Sequence, residues 1–133
     1  MDVINFYKIY RVSMEFKKLI QEAYPKKMST LEFFILLHVG REKDGCSQYD
    51  LAKAMSLQSS RVNPLVRKLV EEELLIEHSI ESNRNKMMIS TTDKADAIVA
   101  EVVDTSHKKI DYVEGHNKEY GEMLDLLFKK LID

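Results

Sequence analysis

The chain has 133 residues, 44% of them apolar, which suits one globular domain with a modest core and excludes a disordered chain. Its 20 basic and 22 acidic side chains leave a formal net charge of −2, so any nucleic-acid site must come from local clustering rather than overall charge. No apolar run of about 18 residues is there to span a membrane, the start "MDVINFYKIYRV" lacks the features of a secretion signal, and the single cysteine, Cys46, fits a reducing cytoplasm without disulfides.

The first element spans residues 3–20. Val3, Phe6, Tyr7, Tyr10, Met14 and Leu19-Ile20 recur at mostly three- and four-residue steps, which predicts an amphipathic helix closed by Pro25. "STLEFFILLHVG" opens the next helix. Ser29 and Glu32 form a capping box, and the run from Leu31 to Val39 is apolar nearly all round, as in a central helix. A short third helix, "CSQYDLAKAMSL", is capped by Ser47, with Asp50 in its first turn and Leu51, Ala52 and Met55 on its buried side.

In "SSRVNPLVRKLVEEE", Val62, Leu65, Val66, Leu69 and Val70 make one apolar stripe. Asn63-Pro64 could itself start a helix, as cap and first residue. The stripe reaches back to Val62, however, so the fourth helix is expected to begin near Ser59 or Ser60. Pro64 then falls about a turn inside. "LLIEHSI" and "KMMIST" are β-prone and flank the polar "ESNRN", a hairpin with its tip there. Thr92 caps a further helix with the stripe Ala95, Ile98, Val99, Val102 and Val103. Gly115 and Gly121 bracket an expected break before a last helix carrying Met123, Leu124, Leu127, Phe128 and Leu131.

This order predicts a mainly α fold with a small β-hairpin, the outline of a winged helix-turn-helix. The fourth helix, about 59–72, would be the reading helix and the hairpin tip, about 81–86, the wing. With Val62 on the buried stripe, the 100° step per residue puts Ser60, Pro64, Arg67 and Glu71 on the opposite face, flanked by Arg61, Asn63 and Lys68. Ser59 stands at the entry. From Lys53 to Lys68 there are four basic side chains and no acid, bounded by Glu71, Glu72 and Glu73. The candidate DNA contacts are therefore Ser59, Ser60, Arg61, Asn63, Pro64, Arg67 and Lys68, with Arg84 and Lys86 of the wing meeting phosphates or a minor groove. The Pro64 ring would either meet a thymine methyl or simply restrict the unfolded chain.

The stretch "LAKAMSLQSSRVNPLVRKLVEEELLIEHSIESNRNKMMISTTDKA" resembles the signature of the MarR-type regulators. Leu51-Ala52, Ser60, Val62, Leu65, Val66, Lys68, Leu69 and Thr91-Thr92 match family positions. Asn63-Pro64-Leu65-Val66 resembles the Thr-Pro-Leu-Leu of a branch that includes organic-peroxide sensors and staphylococcal global regulators. Asn83-Arg84-Asn85 stands where the family wing has Asp-Arg-Arg, Glu73 where a Gly ends the reading helix, and Ala95 where another Gly stands. The resemblance implies a cytoplasmic homodimeric regulator on a palindromic double-stranded DNA site. Residues 1–28 and 93–133 would belong to the dimerisation region and 29–92 to the winged domain. It further implies control by a small molecule or an oxidant. Tyr10, Phe34 and His38 are the candidates to line an organic-effector cleft, although core packing accounts for them equally, and control by abundance alone, without an effector, is the alternative.

Cys46 would be an oxidant-sensing thiol or a small, partly buried residue. His107 and Asp111 share a helix face, but two groups are too few for a metal site and no Cys-x-x-Cys is present, so no metal or cofactor is expected. Without a Gly-rich phosphate loop, nucleophile elbow or zinc-hydrolase motif, an enzyme is not expected either. The rival is a winged-helix protein that binds another protein, as antagonist or partner of a regulator, and has no DNA binding of its own. The reduced wing and the acid run at 71–73 are its support.

Overall fold

The computed structural model describes residues 2–24, 26–80, 83–109 and 116–132, with the side chains at 80, 83–86 and 117 outside that description. Pro25, residues 81–82 of the expected wing tip, Asp111 and Gly115 fall outside it. The described elements are α1 (Val3–Ala23), α2 (Thr30–Arg41), α3 (Gln48–Ala54), α4 (Ser59–Glu71), β1 (Leu75–Ile80), β2 (Asn83–Thr91), α5 (Asp93–Lys109) and α6 (Asn117–Leu131).

Local chemistry accounts for the boundaries. The Asp2 carboxylate accepts from the Ile4 N–H and starts α1. The Ser29–Glu32 capping box forms in full at the start of α2. Ser47 Oγ accepts from Asp50 N–H at 3.1 Å and starts α3. Thr92 Oγ1 accepts from Ala95 N–H at 3.2 Å and donates to the Glu73 carbonyl at 2.8 Å, capping α5 while tying it to the end of α4.

The chain divides into two compact units, Met1–Val102 and Val103–Asp133. In the first, Phe33, Ile35, Leu36 and Val39 of α2 sit in a core with Leu51, Val62, Val66, Leu69, Leu74, Leu75 and Ile89. Burying each such side chain contributes roughly 1.5–3 kcal/mol, so this core orders the short helices α3 and α4 and the hairpin around α2. β1 and β2 pair antiparallel, with Leu75 opposite Thr91 and Glu77 opposite Ile89. Cys46 exchanges both backbone hydrogen bonds with Ile89, at 3.0 and 2.8 Å, which pins the entry of α3 to the hairpin. Gly45 next to it has φ +78°, and a Cβ there would lie 2.1 Å from the Ile89 carbonyl oxygen, so only glycine fits this crossing.

Two expectations change. β2 begins at Asn83, so Asn83, Arg84 and Asn85 belong to the strand rather than to a separate tip. Pairing continues past an irregularity between Ser79 and Ile80 to join Ile80 with Asn83. Gly121 lies inside α6, not at a break, among residues that favour helix enough to offset its cost of about 1 kcal/mol. In the second unit, Met123, Leu124, Leu126, Phe128 and Leu131 of α6 are exposed.

Candidate nucleic-acid interface

The turn into α4 is built tightly. Ser56 has φ 55°, the Leu57 N–H donates to the Ala52 carbonyl at 2.9 Å, and the Ser56 N–H donates to that of Lys53 at 3.1 Å. These two bonds make a Schellman closure, which stops α3 and turns the chain into α4 within a few residues. Val62, Val66 and Leu69 then drive one side of α4 into the core, fully shielded. The other side is left to solvent. Ser59, Ser60, Arg61, Asn63, Pro64 and Arg67 are all exposed, as is Lys53 at the end of α3. The structure therefore brings six of the seven reading-helix candidates onto one exposed face. No side chain caps the start of α4 at Gln58, and the positive end of a helix suits a phosphate.

Lys68 departs from the expectation that grouped it with this set. Its ammonium turns to α2 and lies 3.1 and 3.0 Å from Glu32 Oε1 and Oε2. A rotation of 100° per residue places Lys68 on the flank, and its long stem reaches from there to the core edge. Glu32 was legible only as the cap of α2; the sequence gives no sign of its partner in α4. Glu72 was read only as part of the acid run at 71–73 and Tyr24 was missed altogether: the Tyr24 hydroxyl donates to Glu72 Oε2 at 3.2 Å. Burial, then the Glu72 charge and this hydrogen bond, with a smaller push from Glu32, raise the Tyr24 hydroxyl above its ordinary pKa.

The backbone of Arg84 and Lys86 runs in β2, and their side chains lie outside the described residues. In the paired part of the hairpin, His78 Nε2 and Ser90 Oγ stand 2.7 Å apart across the strands, stiffening the wing.

The effector candidates are not gathered around one hollow. Tyr10 is 60% exposed on α1, beside a shallow depression bordered by Tyr7, Arg11, Met14 and Lys18. Phe34 instead stacks on Phe16, with ring centroids 5.7 Å apart, and meets Phe33 edge-on at the same distance. His38 lies half-buried near the end of α2. Cys46 is buried, and burial, with the nearby Glu42 and Asp50 carboxylates, pushes its thiol pKa up. A raised pKa keeps the thiol neutral near pH 7, opposite to what a reactive thiolate needs. Among the described residues no cluster of three or more His, Cys, Asp or Glu could hold a metal ion.

Residues 28–95, just over half of the chain, match the family model described as a winged helix DNA-binding domain. Solved structures of similar fold extend over nearly the whole chain. CouR from Rhodococcus jostii bound to p-coumaroyl-CoA is 24% identical, with a TM-score of 0.75 over 98% of this chain and 93% of CouR. The S. aureus MepR–DNA complex is 18% identical, with a TM-score of 0.70 over 98% and 97%. A MarR mutant from E. coli complexed with operator DNA is 16% identical, with a TM-score of 0.68 over 100% of both chains. The chain belongs to the family of winged-helix DNA-binding domains, and its fold is that of the MarR-type regulators.

Proposed function

We propose that this protein is a transcriptional regulator, a repressor, that binds a palindromic double-stranded DNA operator as a homodimer in the cytoplasm and is released by a small organic effector. The observation that carries the reading is the outer face of α4. Ser59, Ser60, Arg61, Asn63, Pro64 and Arg67 are exposed there together, and no acid occurs between Lys53 and Lys68. Arg61 and Asn63 carry the donors and acceptors that read base edges in a major groove, and Arg67 is placed for a phosphate. Arg84 and Lys86 of the wing supply contacts to backbone or minor groove. Residues 29–92 form the DNA-binding part, and 1–28 with 93–133 form the dimerisation part. CouR, bound to p-coumaroyl-CoA, supports an organic effector, for which Tyr10, Phe34 and His38 are the proposed lining. No metal or cofactor takes part, and the protein acts by binding rather than catalysis. Among the described residues no helix is long and apolar enough to cross a membrane.

Selection of bound duplexes from a random library at physiological salt tests this. The expected product is an inverted repeat with half-sites about one helical turn apart. On that operator, Arg61→Ala and Asn63→Ala each cost about 1–3 kcal/mol and relax the choice of base, while Arg84→Ala weakens all duplexes alike. Sequences no different from the starting library would overturn the reading.

A further inference from the structure

The end of α4 is held by an internal ionic anchor. Lys68 Nζ contacts both Glu32 carboxylate oxygens, donates to the Lys27 carbonyl at 3.4 Å and lies 3.9 Å from Glu72 Oε1. Glu32 is 4% exposed and is the one buried charged side chain among the described residues. Its Oε1 also accepts from the Ser29 N–H at 3.4 Å, so the same carboxylate caps α2 and holds α4. A second tie joins Glu72 to Tyr24, which is 5% exposed and caps the end of α1. The last turn of the reading helix and its C-cap are thus fastened to the C-cap of α1, to the loop after it and to the first turn of α2.

The chemistry makes this anchor directional. A carboxylate taken out of water is costly unless a cation and hydrogen bonds compensate it, and removing that cation leaves the charge stranded. Lys68 is the cation that does so, which limits how far α4 can roll or slide on α2. Base readout depends on hydrogen bonds that weaken steeply with misalignment, so a small roll of α4 would displace Arg61 and Asn63 from base edges. Phosphate contacts through flexible basic side chains tolerate the same roll.

We propose that Lys68 is a positioning residue for base readout: its ammonium, clamped by Glu32 and backed by the Glu72–Tyr24 tie, fixes the reading helix and does not neutralise a DNA phosphate. This rests on the DNA-binding reading above.

The test uses the full chain, the selected operator and a random duplex of equal length, with affinity measured across a salt series. A lysine on a phosphate releases counterions, and its loss makes the slope of log K against log salt shallower by about 1. Lys68→Met should keep the wild-type slope, weaken operator binding at least tenfold and leave random-duplex binding little changed, so the specificity ratio collapses. Glu32→Gln, at a buried side chain that carries no positive charge to a phosphate, should do the same. The double variant should lose no more than the worse single one, and Lys68→Arg should restore the ratio. Should Lys68→Met fail to fold, Glu32→Gln carries the expected loss of specificity and Lys68→Arg its retention. A shallower slope with equal losses on both duplexes would overturn the anchoring role and make Lys68 a phosphate contact. Unchanged specificity in both Lys68→Met and Glu32→Gln would also overturn it. A wild-type protein that prefers no duplex sequence would overturn the DNA-binding reading itself, and the anchor with it.

Discussion

Pro64 is exposed at the sixth residue of α4, inside the helix rather than at its cap. Of the two starts open in the sequence, the apolar stripe back to Val62 identified the right one. A regular helix would use the N–H at 64 to bond the Ser60 carbonyl, and proline has none. Its ring also presses on that carbonyl, at a cost of up to about 3 kcal/mol in a helix interior. Pro64→Ala is therefore expected to raise stability, by about 1–3 kcal/mol, read as a shift of the urea midpoint at constant m-value. Operator affinity on the same variant then decides what the ring is for. A fall in affinity despite the gain in stability assigns the ring to DNA; lower stability with unchanged affinity would assign it to restricting the unfolded chain. Lys68 shows the limit of legibility at this scale. Helical rotation fixes where a Cα sits, but a four-carbon stem can send the charge either way, and its partner Glu32 is 36 residues distant.

The elements were legible wherever their chemistry is local. The caps at Ser29, Ser47 and Thr92, and the start of α4, follow from residues within a turn of each boundary. The wing was less legible, because strand pairing joins residues across the hairpin and drew Asn83, Arg84 and Asn85 into β2. The end of α4 lies between these cases. Glu73 has φ 61°, the left-handed conformation, with the Leu74 N–H donating to the Leu69 carbonyl at 2.9 Å and its own N–H to that of Val70 at 3.0 Å. This Schellman closure favours glycine, and glycine is what the family resemblance sets at that position. Glu73→Gly keeps both bonds and removes the strained Cβ, so it is expected to stabilise the fold by up to about 1 kcal/mol. The thermal midpoint should rise by a few degrees. A lower midpoint would mean that the Glu73 side chain contributes more than its backbone strain costs.

At the scale of the whole molecule, the apolar stripes of α1 and α6 were legible, but a stripe does not say what covers it. Within the first unit, Ile20 is the one buried residue of α1, while Val3, Phe6, Tyr7 and Tyr10 stay exposed. Within the second unit, Phe128 is 59% and Leu131 67% exposed. Exposed apolar surface on this scale marks a surface that is covered in the working assembly. A second copy is the occupant proposed above, and it makes a quantitative demand. A dimer gains its second half-site contact within one complex, so the pair binds by a factor of about 10²–10⁴ more tightly than one reading head alone. Phe128→Asp combined with Leu131→Asp places two carboxylates on that face, where burial would require them to be desolvated or protonated. Sedimentation should show the variant as a monomer, with its near-native helix content retained by circular dichroism. Its affinity for the full operator should drop by that factor, towards its affinity for an isolated half-site. If the wild type sediments as a monomer, or the monomeric variant binds the full operator as tightly as the wild type, the two-headed reading fails. The reading face of α4 would then have to account for recognition from a single helix.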